Sequence, residues 1–290
     1  MFIPPPVAEE SASFQECWAA VEGGRMRYLC GGSGPSLLLI HGLLGYSFSW
    51  RFNLPAFSKQ YTVYAPDLLG TGFSQKPGGL DCCLSASADR LLGFLNELGI
   101  SSCNVIGTSH GGAVAMMLAA EAAQQGKPLR RLVLVAPANP WSPPRPPVMR
   151  ILRSVSGASL VRHTAPHVQF THKFILRRMY GNPRRIPRDS LSGYSAPLAV
   201  RGSFEYGLSV VRSWRKDMRD ILEALPVIAD LPTLLLWGTR DRAVSPKSAS
   251  LLRQQFRQCE LVLLDGAGHL PYEEMPEEFN SLVLDFLSRH

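Results

Sequence analysis

The sequence predicts an α/β fold: a mostly parallel eight-stranded sheet flanked by helices, with an inserted helical cap. Two observations carry this prediction. Short, near-continuous apolar runs alternate with helical patterns along most of the chain, which is typical of strands joined by crossover helices. The alternation breaks after residue 136 and resumes near Pro232, and the chain between these points carries helical patterns without a convincing strand.

Eight runs have the character of strands. Residues 14 to 30 contain two of them, joined at Glu22-Gly23-Gly24, a turn signal that predicts an antiparallel hairpin at the edge of the sheet. The other six runs cover residues 37 to 40, 61 to 65, 103 to 107, 132 to 136, 233 to 237 and 260 to 264. Because they are apolar nearly throughout rather than alternating, they are typical of strands buried on both faces of a parallel sheet.

Helical patterns lie between these runs, at residues 85 to 98, 110 to 125, 246 to 257 and 276 to 288. Residues 137 to 147 contain six prolines and predict a stiff linker. Further helical patterns follow at residues 148 to 160, 167 to 180 and 203 to 224. We therefore expect an α/β core of residues 1 to 140 and 227 to 290, with residues 141 to 226 forming a helical cap over the edge of the sheet.

The amino-acid composition excludes several classes of protein. A chain of 290 residues, of which 46% are hydrophobic, can bury a substantial core. No run approaches the ~20 consecutive apolar residues of a membrane span, and residues 1 to 13 lack the features of a secretory signal. The six cysteines show no C-x-x-C spacing, which argues against a metal site and a disulfide framework. We expect a cytoplasmic protein without a membrane span, metal or cofactor.

The charge is uneven. Residues 142 to 226 contain 15 Lys and Arg against 5 Asp and Glu, a net charge of +10, whereas the whole chain carries +7. This excess is explained either by solvated helix faces or by attraction of an anionic substrate, an acidic acyl carrier or a membrane surface. No nucleic-acid-binding motif accompanies the charge, so nucleic acid is not expected as a partner.

The segment Gly107-Thr108-Ser109-His110-Gly111 stands between an apolar run and a small-residue helical run. It predicts a strand, a sharp turn with serine at its apex, and a helix. Glycine on both sides of the turn allows the strand and the helix to approach closely, because a side chain there would clash. The hydroxyl of Ser109 is then held clear of the sheet, above the N-terminus of the helix.

A serine hydroxyl becomes a useful nucleophile only when a base takes its proton and a third group orients that base. Polar residues follow several of the apolar runs within a few positions, namely His41, Asp67, Ser109, Asp241 and His269. Since the carboxyl ends of parallel strands meet at one edge, we expect these side chains to be delivered to that edge. The order along the chain is serine, acid, histidine.

At this point the chain resembles the α/β-hydrolase superfamily, which has that order of catalytic residues. The segments that carry the resemblance are His41-Gly42-Leu43-Leu44-Gly45, Pro66-Asp67-Leu68-Leu69-Gly70-Thr71-Gly72-Phe73-Ser74, Gly238-Thr239-Arg240-Asp241 and Gly268-His269. The cap is similar to the helical lid that many members insert after the sixth strand. The resemblance implies that Ser109 is the nucleophile, His269 the general base and later acid, and Asp241 the orienting carboxylate.

The resemblance further implies an oxyanion hole made by the backbone N–H groups of Leu43 and His110. His41 is expected to brace this loop, and Asp67 and Ser74 to stabilise their glycine-rich loop. Possible substrate contacts are assigned to the side chains of His41, Phe48, Trp50, Trp141 and Trp214. For the four aromatic residues, packing in the core or cap is the alternative.

Serine at position 109 argues against epoxide hydrolases and haloalkane dehalogenases, because those relatives place aspartate there. We expect hydrolysis of a carboxylic ester, thioester or lactone of a small, largely apolar substrate, with or without an anionic group, through an acyl-enzyme on Ser109. One alternative is a carbon–carbon bond hydrolase. Others are a non-hydrolytic enzyme of the same fold, such as a lyase or cofactor-free oxygenase, and a small-molecule receptor.

Overall fold

The computed structural model of the protein describes residues 14–142, 169–200 and 202–289. Eight strands form one sheet in the order β1-β2-β4-β3-β5-β6-β7-β8. They are β1 (Gln15–Val21), β2 (Gly24–Gly31), β3 (Ser36–Ile40), β4 (Thr62–Pro66), β5 (Asn104–Thr108), β6 (Leu132–Val135), β7 (Thr233–Gly238) and β8 (Cys259–Leu264). Strand β2 is antiparallel to both of its neighbours, and β3 to β8 are mutually parallel. The predicted eight-stranded, mostly parallel sheet with an edge hairpin is confirmed.

The helices follow the strands in the expected alternation. They are α1 (Leu54–Phe57), α2 (Leu84–Glu97), α3 (His110–Gln124), α4 (Gln169–Met179), α5 (Ser190–Ser195), α6 (Ser203–Ala224), α7 (Ala249–Arg253), α8 (Pro271–Glu274) and α9 (Pro276–Ser288). The sequence patterns do not predict α1, α5 or α8, because four to six residues are too few to show a helical period. Helix α7 is shorter than its predicted range, since Pro246–Ser248 forms a 3-10 turn.

The strands are apolar throughout because the sheet is covered on both faces. Successive residues of β3 alternate between two clusters: Leu38 and Ile40 pack with α2 and α3, whereas Leu37 and Leu39 pack with α1 and α9. All four side chains are fully buried. A parallel sheet between two helical layers delivers the carboxyl ends of its strands to one open edge, where the polar residues of the sequence motifs lie.

The chain between β6 and β7, called the insertion below, is helical in its described parts. Helices α4 and α6 match the patterns predicted at residues 167 to 180 and 203 to 224. The helix predicted at residues 148 to 160 lies outside the described residues, and the division into core and cap stays a prediction. Within residues 14–142, 169–200 and 202–289, no helix has the length and apolarity needed to cross a membrane.

Helix α6 packs directly onto the core. Its residues Tyr206, Val210 and Ile221 are buried in the same cluster as α2 and α3. The buried carboxylate of Asp217 accepts a hydrogen bond from the backbone N–H of Leu84, the first residue of α2, at 3.1 Å. An acid at this position satisfies a helix N–H that has no intrahelical acceptor. One side of the insertion is thereby held against the sheet.

A buried carboxylate organises the loop after β4. Asp67 accepts hydrogen bonds from the backbone N–H of Ser47 at 2.8 Å and of Phe73 at 2.9 Å, and its Oδ2 lies 3.2 Å from the guanidinium of Arg27. Ser74 donates its hydroxyl proton to the Asp67 carbonyl and accepts the N–H of Arg27. These contacts join the loops after β3 and β4, as expected for Asp67 and Ser74.

Candidate active site

Ser109 lies at the sharp turn between β5 and α3. Its φ of 52° and ψ of −120° fall in a region that non-glycine residues rarely adopt. The strained residue is held by its neighbours: its N–H donates to the Val135 carbonyl at 2.9 Å, and its carbonyl accepts from Gly112 and Ala138. The side chain is half-buried and lines a cavity. This backbone is the one predicted for a serine that presents its hydroxyl above the sheet.

The two glycines that flank the turn are there because the backbones touch. A Cβ on Gly107 would lie 2.4 Å from the carbonyl oxygen of Gly111. A Cβ on Gly111 would lie 2.2 Å from the carbonyl oxygen of His41, at the end of β3. The turn therefore packs without side chains against α3 on one side and against the loop after β3 on the other.

His269 and Asp241 meet at the same edge of the sheet. The Nδ1 atom of His269 lies 2.7 Å from Oδ2 of Asp241, and both side chains are buried. The second oxygen of Asp241 accepts the backbone N–H groups of Ala243 at 2.7 Å and Val244 at 3.0 Å. The carboxylate is thus fixed on both sides, and His269 lines the same cavity as Ser109.

The loop after β3 approaches Ser109 closely. A Cβ on Gly42 would lie 3.3 Å from the Cβ of Ser109, and the next residue, Leu43, lines the cavity. His110 is the first residue of α3, so its N–H has no acceptor within the helix. Both backbone groups that the resemblance assigns to an oxyanion hole therefore lie beside Ser109, and their role stays a prediction.

His41 braces this loop. The N–H of Leu68 donates to Nε2 of His41 at 3.1 Å, so Nε2 is unprotonated and Nδ1 carries the proton, which it donates to the carbonyl of Gly42 at 2.8 Å. Burial lowers the pKa of His41, with Gly42 and Asp67 opposing this shift. The ring is neutral and joins the loops after β3 and β4.

The histidine loop rests on the insertion. The N–H of His269 donates to the carbonyl of Met179 at 2.6 Å. The buried carboxylate of Glu274 accepts three backbone N–H groups: Gly268 at 2.8 Å, Gly181 at 2.9 Å and Asn182 at 2.7 Å. Met179, the last residue of α4, and the following residues Gly181 and Asn182 are therefore held against the loop that carries the histidine.

The cavity beside Ser109 has a volume of about 300 Å³. Its lining is mostly apolar, with Ser109 and His269 at one side and the hydroxyls of Ser49, Tyr194 and Tyr272 as its other polar side-chain groups. The remaining lining residues are Gly42, Leu43, Leu44, Gly45, Ile175, Leu176, Met179, Leu198, Ala243 and Leu270. Within the described chain no Lys, Arg, Asp or Glu side chain lines it. It suits a neutral, apolar group.

None of the five side chains assigned to substrate contact is among the described residues that line this cavity. His41 is engaged in the loop contacts above. Phe48 lies edge-to-face with the lining residue Tyr194, with ring centroids 5.4 Å apart, and Trp50 packs against the lining residue Tyr272, with centroids 4.8 Å apart. These two rings support the wall from behind.

Trp141 and Trp214 are partly buried against the core cluster that contains α2 and α3. The apolar character of the aromatic residues indicates burial but not which side of a loop or helix faces the cavity. For Trp141 and Trp214 the structure therefore shows packing against the core, which the sequence analysis gave as the alternative to substrate contact.

Sequence reasoning missed a polar network behind the cavity wall. The buried carboxylate of Glu273 accepts the hydroxyl of Tyr180 at 2.8 Å and that of Tyr194, and lies 3.0 Å from the guanidinium of Arg51. Tyr194 also lies 3.2 Å from Oγ of Ser49. Burial raises the pKa of Glu273, and Arg51 with the two tyrosines opposes the shift. The one local signal is a pair of adjacent glutamates after the histidine motif.

The imidazole of His110 is buried without a hydrogen-bond partner for either ring nitrogen among the described residues. It lies edge-to-face with Tyr206, with centroids 5.7 Å apart. Burial lowers its pKa from 6.5 to about 3, and the nearby His41 adds to the shift. The ring is therefore neutral, and His110 is not among the described residues that line the cavity.

We expect Gly181→Ala to lower turnover of an activated ester by on the order of 100-fold, because a Cβ there would lie 2.2 Å from the carbonyl of Gly266 and displace the histidine loop. Steady-state kinetics would show the loss in kcat. The control is Gly93→Ala in α2, whose Cβ meets nothing within 4 Å. A Gly181→Ala protein with a wild-type melting temperature and kcat would contradict the role of this contact.

We expect His110→Met to reduce the acid sensitivity of folding. The folded-state pKa of about 3 lies below the unfolded value of 6.5, so the unfolded chain binds the extra proton and stability falls as the pH drops below 6.5. At pH ~5 this lowers the free energy of unfolding of the wild type by about 2 kcal/mol. The variant, which has no imidazole at this position, does not lose this stability. Urea unfolding of both proteins between neutral and acidic pH measures the difference; parallel pH profiles would show that His110 is not buried neutral.

Comparisons with known proteins identify the family of the chain. The family described as alpha/beta hydrolase fold matches residues 35–276. Haloalkane dehalogenase 2 of Mycobacterium tuberculosis is 29% identical over 285 residues, covering 94% of this chain and 94% of the relative. Lipase 1 of Psychrobacter immobilis is 29% identical over 268 residues, covering 88% of this chain and 78% of the lipase.

The fold also matches solved structures. The 2-hydroxy-6-oxo-6-phenylhexa-2,4-dienoate hydrolase from Rhodococcus sp. strain RHA1 superposes with a TM-score of 0.80 at 21% identity, covering 96% of this chain and 100% of that chain. At this identity the likeness concerns the fold alone. Because the family match spans most of the sequence and the sheet has the expected order, the chain belongs to the alpha/beta hydrolase fold family and is a hydrolase of that type.

Proposed function

We propose that the protein hydrolyses a carboxylic ester, thioester or lactone of a small, largely apolar substrate through an acyl-enzyme on Ser109. The observation that carries the proposal is that Ser109 and His269 line one apolar cavity while Nδ1 of His269 lies 2.7 Å from the Asp241 carboxylate. Nucleophile, base and orienting acid are the groups that acyl transfer requires.

In the proposed reaction, Oγ of Ser109 attacks the carbonyl carbon of the ester while Nε2 of His269 takes the hydroxyl proton. Asp241 keeps the proton of the neutral ring on Nδ1 and stabilises the imidazolium that forms. The carbonyl oxygen becomes negative and accepts hydrogen bonds from the N–H groups of Leu43 and His110. The intermediate collapses, the C–O bond breaks, and His269 returns the proton to the leaving alcohol.

Deacylation repeats these steps with water. His269 takes a proton from the water, the hydroxide equivalent adds to the acyl carbon, and collapse releases the carboxylic acid as Oγ of Ser109 regains its proton. The hydrogen bonds from Ala243 and Val244 to Asp241 support this cycle, because they hold the carboxylate in place against His269 in both halves.

The character of the cavity supports an apolar acyl or aryl group. Leu43, Leu176, Leu198 and Leu270 are among the residues that surround the site. Each methylene that they remove from water contributes about 0.8 kcal/mol, or about fourfold in binding. We therefore propose that kcat/KM rises with acyl length until the cavity is filled.

Lipases are among the relatives, and the residue types at the candidate site favour ester chemistry over the alternatives. Lipase 1 of Psychrobacter immobilis shares 29% identity with this chain. The dehalogenase is equally similar, but serine at position 109 favours an acyl-enzyme over the alkyl-enzyme that an aspartate would form. A carbon–carbon hydrolase acting on a dienoate would need a cation for its carboxylate, and no described Lys or Arg lines the cavity.

A panel of p-nitrophenyl esters of increasing acyl length tests the proposal. We expect sustained turnover by the wild type, and a loss of on the order of 10⁴-fold or more in kcat for Ser109→Ala, because the nucleophile is removed. Ser250→Ala, on the exposed side of α7, is the matched control and keeps wild-type turnover.

Two outcomes would contradict the proposal. One is Ser109→Ala turnover within tenfold of the wild type. The other is a single slow turnover by the wild type accompanied by a change in melting temperature, which is the behaviour of a receptor.

A further inference from the structure

We propose that the mouth of the cavity and the basic groove beside it form a docking surface for an anionic phospholipid bilayer. This goes beyond the proposed ester hydrolysis, because it concerns what the protein rests on rather than which bond it breaks. The proposal is argued from a groove, a rim of exposed apolar side chains, and the helix that joins them.

The basic groove lies on the outer side of the insertion and has a volume of about 440 Å³. Three exposed cations line it, Lys173, Arg177 and Arg188, and no acidic side chain does so in the part of the chain that the structure describes. Its floor is apolar and consists of Leu176, Pro183, Ile186, Pro187 and Leu191. The nearby carboxylate of Asp189 is occupied by Arg51, at 3.1 Å. The groove therefore carries an unneutralised positive charge above an apolar floor.

The rim of the cavity is apolar and exposed. Leu43, Leu44 and Ile175 line the cavity, yet 38%, 39% and 47% of their surfaces face solvent. Phe174, beside Ile175, is 62% exposed. Leu43, Leu44 and Ile175 come from two separate segments, the loop after β3 and helix α4, and line one cavity, and Phe174 is the neighbour of Ile175 on α4. Contiguous exposed apolar residues around a pocket mark a surface that contacts a protein or a membrane.

Helix α4 joins the two features. Leu176 belongs to the lining of both the cavity and the groove. Lys173 and Arg177 are one turn apart and share a face of α4, and the exposed residue Phe174 lies between that face and Ile175. Cations and apolar side chains therefore face the same environment, next to the cavity mouth. A bilayer with anionic headgroups offers both kinds of contact in one plane, and it would present apolar esters directly at the opening.

The distribution of charge favours a surface over a small anionic substrate. An anionic substrate would be paired inside the cavity, where no described cation lies, whereas the three cations stand outside it. A cation close to an anionic membrane surface strengthens binding about fivefold, so three together contribute on the order of 100-fold.

The test measures vesicle binding by the full chain carrying Ser109→Ala, so that no ester is hydrolysed. Vesicles of pure phosphatidylcholine are compared with vesicles containing about 30% phosphatidylglycerol, which carry the negative surface charge. We expect preference for the anionic vesicles, weakening as salt is raised. Because the nucleophile is absent, failure of binding leaves the proposed hydrolysis intact, and failure of hydrolysis leaves the docking proposal intact.

Charge reversal identifies the surface. We expect the triple variant Lys173→Glu, Arg177→Glu, Arg188→Glu to bind anionic vesicles at least ~100-fold more weakly. The matched control, Lys59→Glu, Arg219→Glu, Arg253→Glu, makes the same change in net charge at exposed positions on other elements and should lose less than about threefold. If the reversed triple does not fold, the glutamine triple at the same three positions is measured instead and should lose on the order of 100-fold, the whole contribution of the three cations.

Phe174→Ser tests the apolar part and should weaken binding to the anionic vesicles by about tenfold, because the ring no longer enters the bilayer. The proposal is overturned if the parent protein binds both vesicles equally or not at all, or if the control triple loses as much as the groove triple. Binding to an acidic acyl-carrier protein without vesicle binding would overturn it as well.

Discussion

The carboxylate of Glu274 joins the two parts of the molecule that make the candidate site. It gathers backbone N–H groups from Gly268 in the histidine loop and from Gly181 and Asn182 in the insertion. Burying a carboxylate costs free energy unless it is paired or hydrogen-bonded, and these three contacts offset that cost. The position of His269 thus depends on a segment outside the sheet.

Three glycines permit this junction. A Cβ on Gly238, Gly268 or Gly181 would lie 2.1 to 2.3 Å from a backbone oxygen of the neighbouring segment. The end of β7, the histidine loop and the loop after α4 therefore stack backbone against backbone. Such an arrangement holds the ring of His269 against Asp241 with little freedom, which is what a base needs if it is to act in the same geometry throughout a catalytic cycle.

The fold was predictable because its signals are local. The near-continuous apolar runs indicate doubly covered strands, and the glycines around Ser109 indicate a turn in which two backbones touch; both readings depend on a few adjacent residues. The order of serine, acid and histidine comes from strand ends that parallel pairing brings to one edge. For the strands and the turn, sequence neighbours and spatial neighbours are nearly the same, and for the three site residues the parallel order of the strands supplies the proximity.

The walls of the cavity were not predictable in this way. Phe48 and Trp50 are aromatic and lie near the site, yet they pack behind Tyr194 and Tyr272, which face the cavity. The pairing of Arg51 with Glu273 joins residues far apart in sequence, and no spacing rule indicates it. Which side of a short helix faces inward is decided by tertiary packing, which leaves no periodic signal in four to six residues.

Charge and apolarity are divided in space. The described lining of the cavity is mostly apolar and contains no Lys or Arg, whereas three cations of the basic stretch between residues 142 and 226, Lys173, Arg177 and Arg188, lie outside it on α4 and the loop that follows. The candidate catalytic side chains and the exposed cations therefore lie on different surfaces of the protein. In the proposed function, the sheet edge supplies the reacting groups, and in the proposed docking the insertion supplies the face that meets the bilayer.

The central claim is that Ser109 is activated by His269, and covalent labelling tests it most directly. A fluorophosphonate probe, which reacts with an activated serine, is incubated with the wild type and with His269→Gln, and the modified residue is identified by mass spectrometry. We expect one adduct per chain, on Ser109, formed on the order of 100-fold or more slowly without the base. Labelling on another residue, or at the same rate in both proteins, would contradict the account.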